Sequence, residues 1–287
     1  MAISRTHVYV HGGVSGNAKL EMPSLAHSLG EAVTCDSALD AVEEAVRRLE
    51  DDETLNAGWG SVLNRDGVVE LDAGIADGPT GRTAGVLSVT VRNPISLARR
   101  VLDSTPHVLL TGTGAMGLAG DLEVLTTTTP RQVERYKRAL DAGGFDSGEY
   151  GADDHVDTVG AVALDSSGRL AAASSTGGVF GKLPGRVGDS PIFGAGTYAS
   201  REAAAVGTGV GELFLETLAC ARAGRMIEEG AHPQLACERV ITYLGERSKV
   251  PAGLLALSAG GRVGAAFRGG SWAVEGPNGP LSPVRLD

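Results

Sequence analysis

Apolar and polar positions along this chain keep two different periods, and the change of period marks its elements. Residues 7–10 form a short apolar run that ends at His11-Gly12-Gly13, a strand leading into a glycine corner. Residues 25–29 read as a short helical piece. Over residues 36–49, Leu39, Val42, Val46 and Leu49 recur at helical spacing behind Asp36-Ser37, which predicts a capped helix. Residues 61–63 and 68–71 flank Asn64-Arg65-Asp66-Gly67, a strong hairpin signal. Residues 86–91 are β-rich, residues 94–102 helical, and residues 107–111 a short strand.

Downstream of residue 130 the character shifts. Residues 132–140 suit a charged helix, and residues 141–154 are rich in Gly, Asp and Ser, as a mobile linker would be. Strand patterns return over residues 159–164 and 170–174, around the turn Asp165-Ser166-Ser167-Gly168. Residues 211–229 and 234–246 read as two long helices. Residues 254–258, 263–267 and 271–274 then read as three closing strands, with Gly260-Gly261 and Gly269-Gly270 as turns. Strands, then helices, then strands give an α+β class. No internal repeat is evident.

Composition narrows the function. The chain has 287 residues, enough for one large core or two small ones. Its formal net charge is −10, which argues against nucleic acid as a partner, because phosphate binding needs clustered Lys and Arg. No apolar run is long enough to span a membrane. The opening residues are too short and too polar for a signal peptide, so a cytoplasmic location is the expectation. Cys35, Cys220 and Cys237 have no metal or redox spacing and fit reduced, structural thiols. The 42 glycines fall in short turns between apolar runs, as tight turns and close backbone approaches require.

The candidate chemistry lies between residues 157 and 212. Asp157-Thr158-Val159-Gly160 opens a strand pattern, and Ser175-Thr176-Gly177-Gly178 follows. Then come Leu183-Pro184-Gly185-Arg186-Val187-Gly188-Asp189 and Val206-Gly207-Thr208-Gly209-Val210-Gly211-Glu212. A threonine before valine is most often a strand residue. A threonine hydroxyl becomes a good nucleophile only beside a base, and an α-amine on the same residue can serve. Arg186 and Asp189 could form a loop salt bridge. They could also grip an amino acid's carboxylate and ammonium, since a guanidinium fork matches a carboxylate. The glycine-rich 206–212 segment lacks the Gly-Lys-Ser/Thr ending of a phosphate loop.

Together these ordered motifs resemble the plant-type asparaginase and isoaspartyl peptidase family of N-terminal-nucleophile hydrolases. Glycosylasparaginase and threonine aspartase are related. The resemblance covers residues 11 to 257 and is weakest over 117–154. It implies a four-layer αββα sandwich and one domain over residues 1–287. Self-cleavage between Asp157 and Thr158 would give an α subunit, 1–157, ending in a mobile linker over about 141–157, and a β subunit, 158–287. Thr158 would be the nucleophile and Thr176 its neighbour. Thr208 and Gly209 would form the oxyanion hole, and Asn56 would support that region or the geometry of self-cleavage. Arg186, Asp189, Thr208, Gly209 and Gly211 would bind substrate. Asp157 departs from the Gly common in plant-type members. Val14-Ser15 departs from their N-terminal His-Gly-Gly-Ala-Gly stretch, in which His11 reads as a buried structural residue.

The resemblance further implies a sodium ion held by backbone carbonyls of Leu49, Glu50, Asp52, Leu55, Ala57 and Trp59. The acidic residues 50–53 also admit Ca²⁺ or a solvated loop, though EF-hand spacing is absent. No cofactor is expected for catalysis. Expected substrates are L-asparagine and β-aspartyl dipeptides, and the expected assembly is a homodimer of αβ heterodimers. Three readings compete with this one: a glycosylasparaginase-like hydrolase, a biosynthetic amide hydrolase or acyltransferase, and an unprocessed, non-catalytic amino-acid-binding protein.

Overall fold

A computed structural model describes residues 5–145 and 158–287. Asp157, His155 and most of the expected linker lie outside the described residues. The elements in chain order begin with β1 (His7–Ser15), α1 (Ala26–Ala32), α2 (Ala38–Asp51), β2 (Leu71–Asp77), β3 (Arg82–Val89), α3 (Pro94–Ser104), β4 (Leu109–Thr111), α4 (Gly112–Met116) and α5 (Pro130–Asp141). From residue 158 onward come β5 (Val159–Leu164), β6 (Leu170–Thr176), β7 (Thr197–Ala199), β8 (Ala203–Gly209), α6 (Gly211–Thr217), α7 (Ala219–Glu228) and α8 (Pro233–Arg247). The chain closes with β9 (Ala252–Ser258), β10 (Val263–Arg268), β11 (Ser271–Gly276), β12 (Gly279–Pro280) and β13 (Val284–Arg285).

Among the described residues the strands form two sheets. The larger runs β12-β11-β1-β5-β6-β2-β3-β4, and the smaller runs β13-β10-β9-β8-β7. Both are mainly antiparallel, with parallel pairs only at β3–β4 and β10–β13. Helices α1, α2 and α3 cover the outer face of the larger sheet, and α7 and α8 cover that of the smaller one. The two inner faces pack together, which gives the expected four-layer order.

Alternation along single strands builds this sandwich. On β5, Val159, Ala161 and Ala163 face the α2 layer, while Val162 and Leu164 face the second sheet. On β8, Ala203 and Ala205 face α7, while Ala204 and Val206 face the larger sheet. Both faces are apolar, so these strands read as continuous apolar runs. Alanine dominates them and lets the layers approach closely.

Several expected elements differ in detail. Residues 61–70 form a turn, in which Asn64 N–H donates to Val68 O at 2.9 Å, but not paired strands. The real hairpin joins β2 to β3 across residues 78–81. The helix expected over 211–229 breaks at Leu218, which takes φ +50° and divides α6 from α7. Of the three closing strands, β9 and β10 join the smaller sheet, and β11 crosses to pair with β1. The glycine corner at residues 11–13 lies within β1, whose irregularity there is met by Gly13 at φ +95°.

Candidate active site

Thr158 immediately precedes β5, and Thr176 ends β6, the strand beside it. Both are buried, each about 2% exposed, and their hydroxyl oxygens stand 3.2 Å apart. The Gly178 N–H donates to Thr176 Oγ1 at 2.9 Å. Thr176 Oγ1, with two lone pairs, thus accepts both from the Thr158 hydroxyl and from the Gly178 N–H.

Asn56 closes one side of this pair. Its Nδ2 donates to Gly178 O at 2.7 Å, and its Oδ1 accepts from Val62 N–H at 3.1 Å. Its backbone O accepts from Gly177 N–H at 2.9 Å. A Cβ at Gly177 would come within 2.5 Å of Asn56 Oδ1, so only glycine fits there.

The other side carries Arg186 and Asp189. A methyl placed on Gly188 would stand 3.1 Å from Arg186 Nη1 and 3.9 Å from Thr176 Cγ2. One placed on Gly211 would stand 2.9 Å from Asp189 Oδ1 and 3.0 Å from Arg186 Nη2. Arg186 therefore lies beside both Gly188 and Gly211, with Thr176 near the first and Asp189 near the second, where only glycine leaves room for them. Asp189 is buried, and its main-chain O accepts from Ile192 and Gly196.

Thr208 ends the apolar run of β8, is fully buried, and accepts from Val14 N–H at 3.2 Å through Oγ1. In the antiparallel β1–β5 pair His11 stands opposite Gly160. Val14, three residues further along β1, thus lies toward Thr158, and so does Thr208. Gly209 follows at φ +139°, where a side chain would be strained. The structure brings Thr158, Thr176, Asn56, Thr208, Arg186, Asp189 and Gly211 to one end of the sandwich.

The residues matched by the asparaginase family model run from 26 to 275. The isoaspartyl peptidase/L-asparaginase of Rattus norvegicus is 40% identical over 265 residues, covering 88% of this chain and 80% of that protein. The isoaspartyl peptidase of Salmonella typhimurium is 39% identical over 295 aligned residues, covering 92% and 93%. The plant-type L-asparaginase of Thermococcus kodakarensis is 39% identical over 285, covering 90% and 91%. The chain belongs to the asparaginase family.

In this asparaginase-family chain three carboxylates near the clamp escaped the sequence reading. Glu212 grips Arg186 side-on, Nε to Oε1 at 2.9 Å and Nη2 to Oε2 at 2.7 Å. Burial alone would raise the Glu212 carboxyl, but the Arg186 guanidinium overrides it and holds the group below its ordinary value. Glu70 and Asp72, at the start of β2, tie down the loop that carries Arg186. The sequence signal was weak: Glu212 was visible only as an acid in a first helical turn.

The expected cation loop is tightly wound. Leu49 O accepts from Asp52 N–H, Asp52 O from Leu55 N–H, and Ala57 O from Gly60 N–H. A Cβ at Gly58 would collide with Glu50 O, and one at Gly60 with Leu55 O. Trp59 O accepts from Thr128 Oγ1 at 2.9 Å. The acidic side chains turn elsewhere. Glu50 Oε1 accepts from Ile95 N–H at the start of α3, and burial pushes its carboxyl up to about 8. Asp52 Oδ1 accepts from Thr54. Among the described residues no cluster of three His, Cys, Asp or Glu could hold a metal, so a carboxylate-built Ca²⁺ site is not formed.

His11 is fully buried against Trp272, with ring centroids 5.7 Å apart. Burial pushes its pKa down to about 3, against a smaller opposing pull from the Thr158 backbone. It therefore stands neutral beside the main chain of Thr158. Among the described residues the cysteines are all free, and no helix is long and apolar enough to cross a membrane.

Proposed function

We propose that this chain is a self-processing threonine amidohydrolase that converts L-asparagine to L-aspartate and ammonia and cleaves β-aspartyl dipeptides. The observation that carries this is the Thr158–Thr176 hydroxyl pair at 3.2 Å, with Arg186 and Asp189 brought beside it at Gly188 and Gly211. The names of the relatives support the same substrates.

The precursor would first cleave itself. Thr158 Oγ1 attacks the Asp157 carbonyl, the acyl group moves from nitrogen to oxygen, and water hydrolyses the ester. The freed α-amine of Thr158 then takes the hydroxyl proton, and Oγ1 attacks the substrate amide. Arg186 binds the substrate α-carboxylate and Asp189 its ammonium, with Gly211 beside both. Thr208 still has its hydroxyl proton, because its Oγ1 accepts the Val14 N–H. That proton and the Gly209 N–H stabilise the oxyanion, a contribution typically worth about 3 kcal/mol. Ammonia or the amine leaves with the proton, and water releases aspartate from Thr158.

Three accessory readings belong to this proposal. Backbone carbonyls of Leu49, Glu50, Asp52, Leu55, Ala57 and Trp59 would hold a structural Na⁺. Two αβ pairs would form the working dimer. The three unpaired cysteines support a reducing, cytoplasmic setting.

The test is the intact mass of purified protein beside Thr158→Ala. The 29.3 kDa chain should yield fragments of roughly 16 and 13 kDa, with Thr158 as the new N-terminus only in the wild type. The cleaved protein should then release aspartate from a β-aspartyl dipeptide. A chain that stays whole after long incubation would overturn the self-processing step. Cleavage without activity on small aspartyl amides would overturn the substrate.

A further inference from the structure

We infer that Asp72, with Glu70 as its second arm, is a positioning residue that fixes the substrate clamp to the strand beside Thr176. The inference rests on the proposed roles of Arg186 and Asp189. It adds a residue that acts through them rather than on the substrate itself.

Asp72 lies on β2, directly opposite Thr176 in the β2–β6 ladder. It is fully buried. Its Oδ2 accepts from Gly188 N–H at 3.0 Å, and its Oδ1 accepts from Ser88 N–H at 2.9 Å. Ser88 adopts φ +51°, a conformation that a side chain takes only when something holds it there. Two residues earlier, both carboxylate oxygens of Glu70 accept from Gly185 N–H at 3.1 Å. The main-chain O of Glu70 accepts from the Lys182 ammonium at 2.8 Å.

Residues 182, 185 and 188 are thus fastened at three-residue intervals to residues 70–72. Arg186 lies between two fastened amides, and Asp189 directly follows the second. The loop over residues 182–189 forms no helix or strand of its own, so no ladder sets its shape. Substrate groups must be held to within a fraction of an ångström, and a side chain on an irregular loop gains that precision only from anchors such as these. Burial pushes the Asp72 carboxyl up, while Lys182, the two amides and Arg186 pull it back. Because Asp72 and Thr176 are cross-strand partners, one ladder position sets the distance between the clamp and the nucleophile's neighbour.

The experiment compares wild type, Asp72→Asn and Glu70→Gln in the self-processed protein. It measures kcat and KM on a β-aspartyl dipeptide, L-aspartate affinity by calorimetry, and melting temperature. Asparagine is isosteric but can present a donor to the Gly188 N–H. Asp72→Asn should raise KM and weaken L-aspartate binding, each by about tenfold, with kcat changed by less than about threefold. Glu70→Gln keeps one acceptor oxygen and should give a shift of about threefold in the same two quantities. A lower melting temperature with KM and L-aspartate affinity unchanged would overturn the inference, because a merely structural role moves only stability. If Asp72→Asn fails to fold, the half-buried Glu70→Gln decides on the same readouts. If the wild type has no turnover, the proposed function fails, and L-aspartate affinity still decides the role of Asp72.

Discussion

The carboxylate of Glu212 holds the guanidinium of Arg186 side-on, through Nε at 2.9 Å and Nη2 at 2.7 Å. A guanidinium has a second edge, made of Nη1 and Nη2. Here Nη1 faces Gly178 and Gly188, and Nη2 faces Gly211. Glu212 thus holds the Nε edge, which sets Nη2 beside Gly211, next to Asp189. It also stands second in α6, directly after Gly211, so the 206–212 segment and the loop that carries Arg186 share an anchor.

Removing that anchor should loosen ground-state binding. Glu212→Ala should raise KM by about tenfold on a small aspartyl amide and leave self-cleavage intact. Steady-state kinetics beside intact mass check both parts. A lower KM would mean that Glu212 competes with the substrate carboxylate for Arg186.

Thr176 Oγ1 accepts from the Thr158 hydroxyl and from the Gly178 N–H. Valine at position 176 keeps the shape and loses both bonds. Thr176→Val should lower kcat by about 10²-fold, with a small change in KM, while Thr176→Ser should keep most activity. A loss in Thr176→Ser with Thr176→Val spared would instead assign the effect to packing of the methyl.

Much of this site was legible because its motifs are local. Thr158, Thr176, Arg186, Asp189 and Gly211 each stand in a short glycine-bearing segment, and the structure brings those segments to one end of the sandwich. Glu70 and Asp72 were not legible. They act on Gly185 and Gly188 across more than a hundred residues, and nothing near them in sequence points to that pairing. The four-layer order followed from the resemblance more than from periodicity, because strands such as β5 and β8 are apolar on both faces and lose the half-buried alternation. The break at Leu218 was missed because its helical pattern continues on both sides. The crossing of β11 to the larger sheet was missed because a Gly-Gly turn looks the same whether the next strand stays or crosses.

His11 gives the chain a pH signature. Its folded pKa is about 3, below the unfolded value near 6.5. Above pH 6.5 both states are neutral and His11 adds no pH dependence. As pH falls below that, the unfolded chain takes a proton that the folded chain refuses, so stability falls by about 1 kcal/mol per pH unit. Denaturant unfolding at pH 7 and pH 5 should show this slope in wild type and lose it in His11→Gln. The difference between the two proteins removes the contribution of the surface carboxylates. An identical slope in both would mean that His11 takes up its proton in the folded state.

The loop over residues 49–60 should respond to sodium if its carbonyls hold an ion. A ligand that binds only the folded state raises stability by RT ln(1 + [L]/Kd), about 3 kcal/mol at a hundredfold excess over Kd. Melting in sodium chloride should therefore exceed melting in choline chloride at equal ionic strength, by a few degrees. Choline is too large for a carbonyl cage. Gly60 supplies the internal control, since a Cβ there would overlap Leu55 O and stand 2.9 Å from Asp52 O. Gly60→Ala should push those two carbonyls apart, lower the melting temperature, and abolish the difference between the two salts. A wild type that melts identically in both would leave the carbonyls serving the turn alone. The Gly60→Ala variant would then melt lower by the cost of backbone strain and nothing more.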